Sequence, residues 1–292
     1  MSAPPATVGQ LLVRARVMGL DRLDAQLLLG HQLQRDRAWL IAHDDAELDA
    51  PGAALFTQAC QRRADGEPLA YLTGERGFHG LNLRVTPDVL VPRPDTETLV
   101  DWALDLLRLR PPAPPPRVLD LGTGSGAVAL AVAHSHPPAQ LTATDLSPAA
   151  LAVAQANAQR LGLVVDFKRG GWWQALPGAV RFDLVLSNPP YIAGDDPHLP
   201  ALRHEPALAL TPGGDGLAAL REIIAGAPAH LAPGGWLLLE HGWDQATAVA
   251  ALLRSAGFER VATRFDLEGR PRCTGGQMPA PANAAVKTSS SG

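Results

Sequence analysis

The segment Val118-Leu119-Asp120-Leu121-Gly122-Thr123-Gly124-Ser125-Gly126 constrains the chain more than any other. An apolar stretch suited to a buried strand runs into a glycine-rich turn, and Ala127 to Ala133 then continue as an apolar helix. A strand, tight turn and helix in immediate succession open a unit whose next strand lies parallel to the first. Glycines there let the backbone bend sharply and come close to a ligand. The same rhythm follows downstream. Strands are expected at 141–145, 164–167, 182–186, 236–240 and 258–264, and helices at 148–161, 217–230 and 245–255. Residues 272–277 are expected to add a last strand at an edge. Such alternation predicts the α/β class, with a mostly parallel sheet covered by helices.

Upstream of this unit the periodicity is helical. Leu11, Leu12, Ala15 and Met18 share one face, as do Leu23, Leu27, Leu28 and His31. Asp21 can cap the second helix, and Pro51 can open a later one through Leu55, Phe56 and Cys60. Residues 7–74 therefore read as a small bundle of four or five short helices. Leu81, Leu83 and Val85 then alternate with Asn82 and Arg84, and Gly77 and Gly80 permit turns, which predicts a β-hairpin. Asp95 is expected to cap a helix reaching about Leu109, with Leu99, Trp102, Ala103 and Leu106 on its apolar face. The proline run 111–116 must be extended. The expected organisation is a helical domain (1–75), a hairpin linker (76–94), an α/β domain (95–278) and a disordered tail (279–292).

The net charge of −4 gives the molecule no global attraction to phosphate backbones, so a nucleic-acid partner is not expected. Two cysteines, Cys60 and Cys273, have no metal-ligand spacing and suit a reduced, cytoplasmic compartment. His134, His136 and His198 have no evident ligand partners, so no metal is expected. The chain shows neither a leader pattern at its start nor an apolar stretch long enough for a bilayer, and a soluble monomer is the expected state.

Ligands of open parallel sheets bind at the carboxyl ends of the strands. Asp145 ends the second strand, where a carboxylate can accept both hydroxyls of a ribose. Together with Gly122, Thr123, Gly124, Ser125 and Gly126 it describes an adenosine-binding domain, and NAD and S-adenosylmethionine fit it equally. The choice comes from Leu184-Val185-Leu186-Ser187-Asn188-Pro189-Pro190-Tyr191, a buried strand ending in Asn, two prolines and an aromatic. A planar amino group delocalises its lone pair and is a poor nucleophile. Two acceptors aimed at its hydrogens out of plane favour a pyramidal nitrogen whose lone pair can meet a methyl sulfonium. The Asn188 side-chain oxygen is one acceptor and the Pro189 carbonyl the other. Prolines hold the loop before the substrate arrives, and Tyr191 can pack flat on the planar group. Hydride transfer to NAD has no use for such a pair. The predicted catalytic residues are Asn188, Pro189 and Tyr191, with Pro190 beside the substrate and Asn188 also beside the cofactor.

Asn-Pro-Pro-Tyr is similar to the motif of amino-methyltransferases broadly, including those acting on adenine, which stand as the alternative reading. Several further segments resemble the HemK/PrmC family of release-factor glutamine methyltransferases. They are 67–74 (Glu-Pro-Leu-Ala-Tyr-Leu-Thr-Gly), 74–78 (Gly-Glu-Arg-Gly-Phe), 92–97 (Pro-Arg-Pro-Asp-Thr-Glu), 203–206 (Arg-His-Glu-Pro) and 239–242 (Leu-Glu-His-Gly). The resemblance spans roughly Thr7 to Gln277. It implies a class I, Rossmann-like methyltransferase domain with a seven-stranded, mostly parallel sheet, preceded by the helical bundle and hairpin. It also implies S-adenosylmethionine as cofactor and the glutamine of a Gly-Gly-Gln loop in class I peptide chain release factors as substrate. By the same resemblance Trp172 lies beside the adenine and Phe78 packs on the glutamine side chain. Many relatives carry an acidic residue before the tryptophan, where this chain has Gly171. Gly275-Gly276-Gln277 copies the substrate tripeptide, which the resemblance leaves as coincidence.

Overall fold

The computed structural model describes residues 6–111, 113–176, 178 and 180–280. The predicted tail falls outside these from residue 281 on. The N-terminal module contains β1 (Ala6–Thr7), α1 (Val8–Val17), α2 (Arg22–Leu33), α3 (Arg37–Ala42), β2 (Glu47–Leu48), α4 (Ala50–Ala64) and α5 (Leu69–Thr73). The helix starts are written locally. Thr7 and Gln10 form a reciprocal capping box at α1, Asp21 accepts from the Leu23 amide at 2.6 Å at α2, and Asp49 caps α4 with Pro51 in its first turn. The pairing of β1 with β2 was not anticipated, because two residues are too few for any periodicity to register.

The hairpin comprises β3 (Glu75–Phe78) and β4 (Leu81–Arg84). Its turn is His79-Gly80, both at positive φ, while Gly77 lies inside the strand. A 3-10 turn (Pro94–Thr96) leads into α6 (Glu97–Arg108), which buries Leu99, Trp102 and Ala103 as expected, with Leu106 partly buried. Asp95 does not cap this helix. It sits within the 3-10 turn, 3.1 Å from the Arg272 guanidinium, because the chain approaches the helix already coiled.

The remainder runs β5 (Arg117–Leu121), α7 (Ala127–Ser135), β6 (Gln140–Asp145), α8 (Pro148–Leu161), β7 (Asp166–Arg169), β8 (Phe182–Ser187), α9 (Ala207–Leu210), α10 (Ala218–His230), β9 (Leu231–Glu240), α11 (Ala246–Ser255), β10 (Glu259–Phe265) and β11 (Pro271–Gln277). The sheet has seven strands in the order β10-β11-β9-β8-β5-β6-β7, and β11 alone is antiparallel to its neighbours. It is the Rossmann-like, mostly parallel sheet expected, with one hydrophobic core on each face. A third core fills the helical module, and a small cluster around Tyr71, Val89 and Ala150 joins that module to the sheet domain.

The last strand is not at an edge. It folds back from β10 and inserts between β10 and β9. Its glycines follow from that crowding. A Cβ on Gly275 would lie 2.4 Å from a Leu238 methyl, and one on Gly276 would lie 2.9 Å from Phe258. The Gln277 amide donates to the Gly234 carbonyl at 2.8 Å, so the Gly-Gly-Gln sequence here serves packing and pairing.

A similar approach occurs on α10. A Cβ on Gly226 would fall 2.2 Å from Trp173, whose indole N–H donates to the Ile223 carbonyl at 3.2 Å and whose ring stacks on His230. Alanine ordinarily stabilises a helix interior over glycine by about 1 kcal/mol. Here the overpacking should win, and Gly226→Ala should lower stability by about 1–3 kcal/mol, read as a drop in the denaturant midpoint.

Candidate active site

Strand β5 lies between β8 and β6. The chain leaves it toward β6 on one side and later returns as β8 on the other. This reversal opens a crevice at the carboxyl ends of the strands. The crevice is a cleft of about 430 Å³, within the range of about 300–1,000 Å³ typical of small-molecule sites. Gly122, Thr123, Gly124, Ser125, Asp145, Trp172, Asn188 and Pro190 all line it. Residues separated in sequence are thus brought to one surface.

The glycine turn is pinned to its neighbour: the amides of Gly122 and Thr123 both donate to the Thr144 carbonyl at 2.9 Å. Gly122 and Gly124 adopt positive φ, and a Cβ on Gly122 would lie 3.2 Å from the Trp172 ring. Gly126 is not among the residues that line the cleft. It starts α7 at φ 86°, and the place of a Cβ is taken by Leu130 and Ala154. Trp172 itself has φ 37°, a conformation rare for a bulky residue, which turns its ring onto the turn. Gly171 brings no carboxylate beside it, whereas Glu222 on α10 does line the cleft.

Asp145 is held before any ligand arrives. One oxygen accepts from the Gly124 amide at 2.8 Å and the other from the Ser147 amide at 2.9 Å. Burial raises its pKa, and those amides act the other way. Asp120, which also lines the cleft, accepts from the Thr123 hydroxyl at 2.6 Å and the Ala129 amide at 3.2 Å. It therefore ties the turn to α7, a role that sequence reading did not assign. Burial pushes its carboxyl up to about 6 despite these bonds. With a folded value above the unfolded one, its stabilising contribution is full below about pH 4 and is lost as pH rises through about 6. Asp120→Asn should accordingly exceed wild type in stability by about 1–3 kcal/mol at pH 8, with the difference closing toward pH 4 in denaturant titrations.

Asn188 follows β8 directly. Its amide nitrogen donates to the Thr96 hydroxyl at 3.1 Å. Pro189 is buried beneath the loop, so its side chain does not line the cleft and only its carbonyl is at issue. Tyr191 does not line the cleft either. Its hydroxyl donates to Glu240 at 3.1 Å, and its carbonyl accepts from Gln245 at 2.9 Å. The ring is drawn under the loop by a buried polar partner that the local sequence does not reveal. Phe78 is 2% exposed and packs with Leu81, Leu83 and Leu99. It lies in the core and not on the cleft, because the hairpin turns this face inward.

Other residues here come from the segments 92–97, 203–206 and 239–242 that carry the family resemblance. Arg93 lines the cleft and pairs with buried Glu205, which also accepts from the Val91 amide at 3.1 Å. Glu97 does not border the cleft and accepts from the His79 amide at 2.9 Å. His241 is buried between the Thr274 hydroxyl and the Gly242 carbonyl, and burial lowers its pKa. Glu240 and His241 are thus interior groups. Among the described residues no group of three or more His, Cys, Asp or Glu is placed to hold a metal, and no helix is long and apolar enough to cross a membrane.

Residues 9–74 match the PrmC N-terminal domain and residues 98–215 the methyltransferase small domain. The release factor glutamine methyltransferase of Bordetella pertussis is 55% identical over 262 residues, covering 89% of this chain and 96% of that protein. That of Xylella fastidiosa strain Temecula1 is 54% identical over 271 residues, covering 92% and 97%. Among solved structures, the N-terminal domain of human METTL16 in complex with SAH aligns with TM-score 0.52 at 17% identity, over 78% of this chain and 82% of that one, a likeness of fold. Identity above one half, sustained over nearly the full length of two bacterial relatives, places the chain in the release factor glutamine methyltransferase family.

Proposed function

We propose that this chain methylates the side-chain amide nitrogen of the glutamine in the Gly-Gly-Gln loop of class I peptide chain release factors, with S-adenosylmethionine as donor. The observation that carries the reading is Asn188 at the end of β8, on the wall of the same cleft as the glycine turn and Asp145. The cleft suits the cofactor. Its walls are mostly apolar, the Cβ-free positions at Gly122 and Gly124 let the backbone approach a ligand, and Trp172 offers a flat ring beside them. Gly122, Thr123, Gly124 and Ser125 would hold the methionine part, Asp145 the ribose and Trp172 the adenine. When bound, the cofactor supplies an electrophilic methyl on a sulfonium.

The remaining work belongs to Asn188 and the Pro189 carbonyl. They accept from the two amide hydrogens of the glutamine, hold the nitrogen pyramidal and aim its lone pair. No strong base is required, because the nitrogen becomes acidic once alkylated. Catalysis on this account is positioning, which can be worth roughly 7–11 kcal/mol in favourable cases. Pro190 borders the substrate channel. Tyr191 and Phe78 act in this reading by holding the loop and the hairpin. The same reading has the protein working as a monomer in the cytoplasm, with the helical module docking the release factor.

The test is transfer of labelled methyl to a purified release factor and to its Gln→Ala loop variant. Label on the first and none on the second is expected. Label on DNA or RNA instead, or equal labelling of both factors, overturns the proposal.

A further inference from the structure

We propose that Thr96 and Glu240 are positioning residues that decide which end of the Asn188 carboxamide faces the substrate. The inference rests on the active-site reading above and concerns two residues which that reading leaves without a task. A carboxamide is nearly symmetric in shape, yet one end accepts and the other donates. Turned over, Asn188 would present two N–H groups to the substrate amide and the acceptor would be gone. Something must make one orientation much better than the other.

The Asn188 nitrogen rests on the Thr96 hydroxyl at 3.1 Å. Thr96 stands at the N-cap of α6, yet its side chain makes no capping bond, so its hydroxyl is committed elsewhere. A hydroxyl alone would tolerate either end of the carboxamide, because it can donate or accept. It becomes directional only when its own proton is taken. The acceptor at hand is Glu240, 1% exposed at the end of β9. Its Oε1 accepts from Tyr191 at 3.1 Å, while its Oε2 is buried with no partner of good hydrogen-bond geometry. The Thr96 hydroxyl lies near enough to pull the carboxyl's pKa down, and the unpartnered Oε2 is the acceptor open to its proton. A carboxylate carries no proton. Thr96 must then donate to Glu240, its lone pair must receive the Asn188 nitrogen, and the Asn188 oxygen is left toward the cleft. The relay runs one way because it ends on a group that can only accept.

The groups facing Glu240 are Tyr191 from the loop after β8, Asp95 and Thr96 from the turn before α6, and Arg272 and Cys273 from β11. Arg272 is held by Asp266 and Asp95, and it acts on Glu240 as a nearby charge. Burial pushes the Glu240 carboxyl up to about 7, against the pull of the Thr96 and Tyr191 hydroxyls and of Arg272. Below that pH Glu240 gains a proton that it can donate to Thr96. The Thr96 proton is then free for the Asn188 oxygen, and the carboxamide loses its preferred orientation. Turnover should fall as pH drops through neutrality.

The experiment is steady-state methylation of a release factor by wild type, Thr96→Val, Thr96→Ser, Glu240→Gln and Asn188→Ala. Thr96→Val keeps the shape and removes the relay. It should lower kcat about 10- to 100-fold, less than removal of the oriented group itself, with the cofactor KM within about twofold of wild type. Thr96→Ser should restore most of kcat, and Glu240→Gln should flatten the acid limb of the kcat profile. Wild-type kcat in Thr96→Val, beside an inactive Asn188→Ala, overturns this proposal and leaves the active-site reading standing. An active Asn188→Ala overturns that reading instead. Should Thr96→Val fail to fold, an unchanged acid limb in Glu240→Gln overturns the relay.

Discussion

Replacing Asn188 with alanine should lower kcat about 100- to 1,000-fold while the cofactor dissociation constant stays within about threefold of wild type. The side chain lies on the cleft wall, but the groups suited to the cofactor's ribose and adenine, Asp145 and Trp172, are elsewhere on that wall and are fixed independently. Under the proposed function, the substitution removes one of the two acceptors that orient the glutamine nitrogen. An interaction made in the transition state and absent from cofactor binding should appear in kcat alone. Single-turnover transfer and a separate cofactor titration read the two effects. A comparable loss in both would contradict the role given to Asn188.

Asp145→Ala should show the opposite pattern. Cofactor affinity should fall about 10- to 100-fold, the scale of losing charge-assisted hydrogen bonds in a sheltered site. The kcat at saturating cofactor should change far less. Part of the affinity loss has a local origin. Without the carboxylate, the Gly124 and Ser147 amides lose their partners, and the glycine turn is no longer set before binding. Asp145→Asn retains one oxygen and should fall between wild type and alanine. Calorimetric titration with S-adenosylmethionine measures all three. Unchanged affinity in Asp145→Ala would mean that the ribose is held by other groups.

The two predictions rest on residues that were legible without coordinates, and several neighbours were not. Asp145 and the turn from Gly122 to Ser125 end a strand or open a helix, positions that local patterning marks out, whereas Trp172 was assigned by resemblance. Gly126 sits in the same turn but faces Leu130, and nothing in a run of glycines says which one touches a ligand. Tyr191 belongs to the most specific motif in the chain, yet its hydroxyl goes to Glu240, 49 residues away. Phe78 was assigned by resemblance, and the hairpin turns it into the core.

Strand–helix alternation, the glycine turn, the acidic end of β6 and the Asn-Pro-Pro-Tyr loop are properties of neighbouring residues. Short-range sterics and hydrogen bonding enforce them, so the amino-acid sequence alone determined the α/β class and the place of Asn188 at the end of a strand. Tertiary structure decided the insertion of β11 between β9 and β10, and the contact of Asn188 with Thr96 across 92 residues. It also placed the buried Glu240 against the Tyr191 hydroxyl. Those features depend on which faces meet when the sheet closes and on which polar groups are then left to satisfy one another away from water. That competition is among residues distant in sequence, and no local pattern records its outcome.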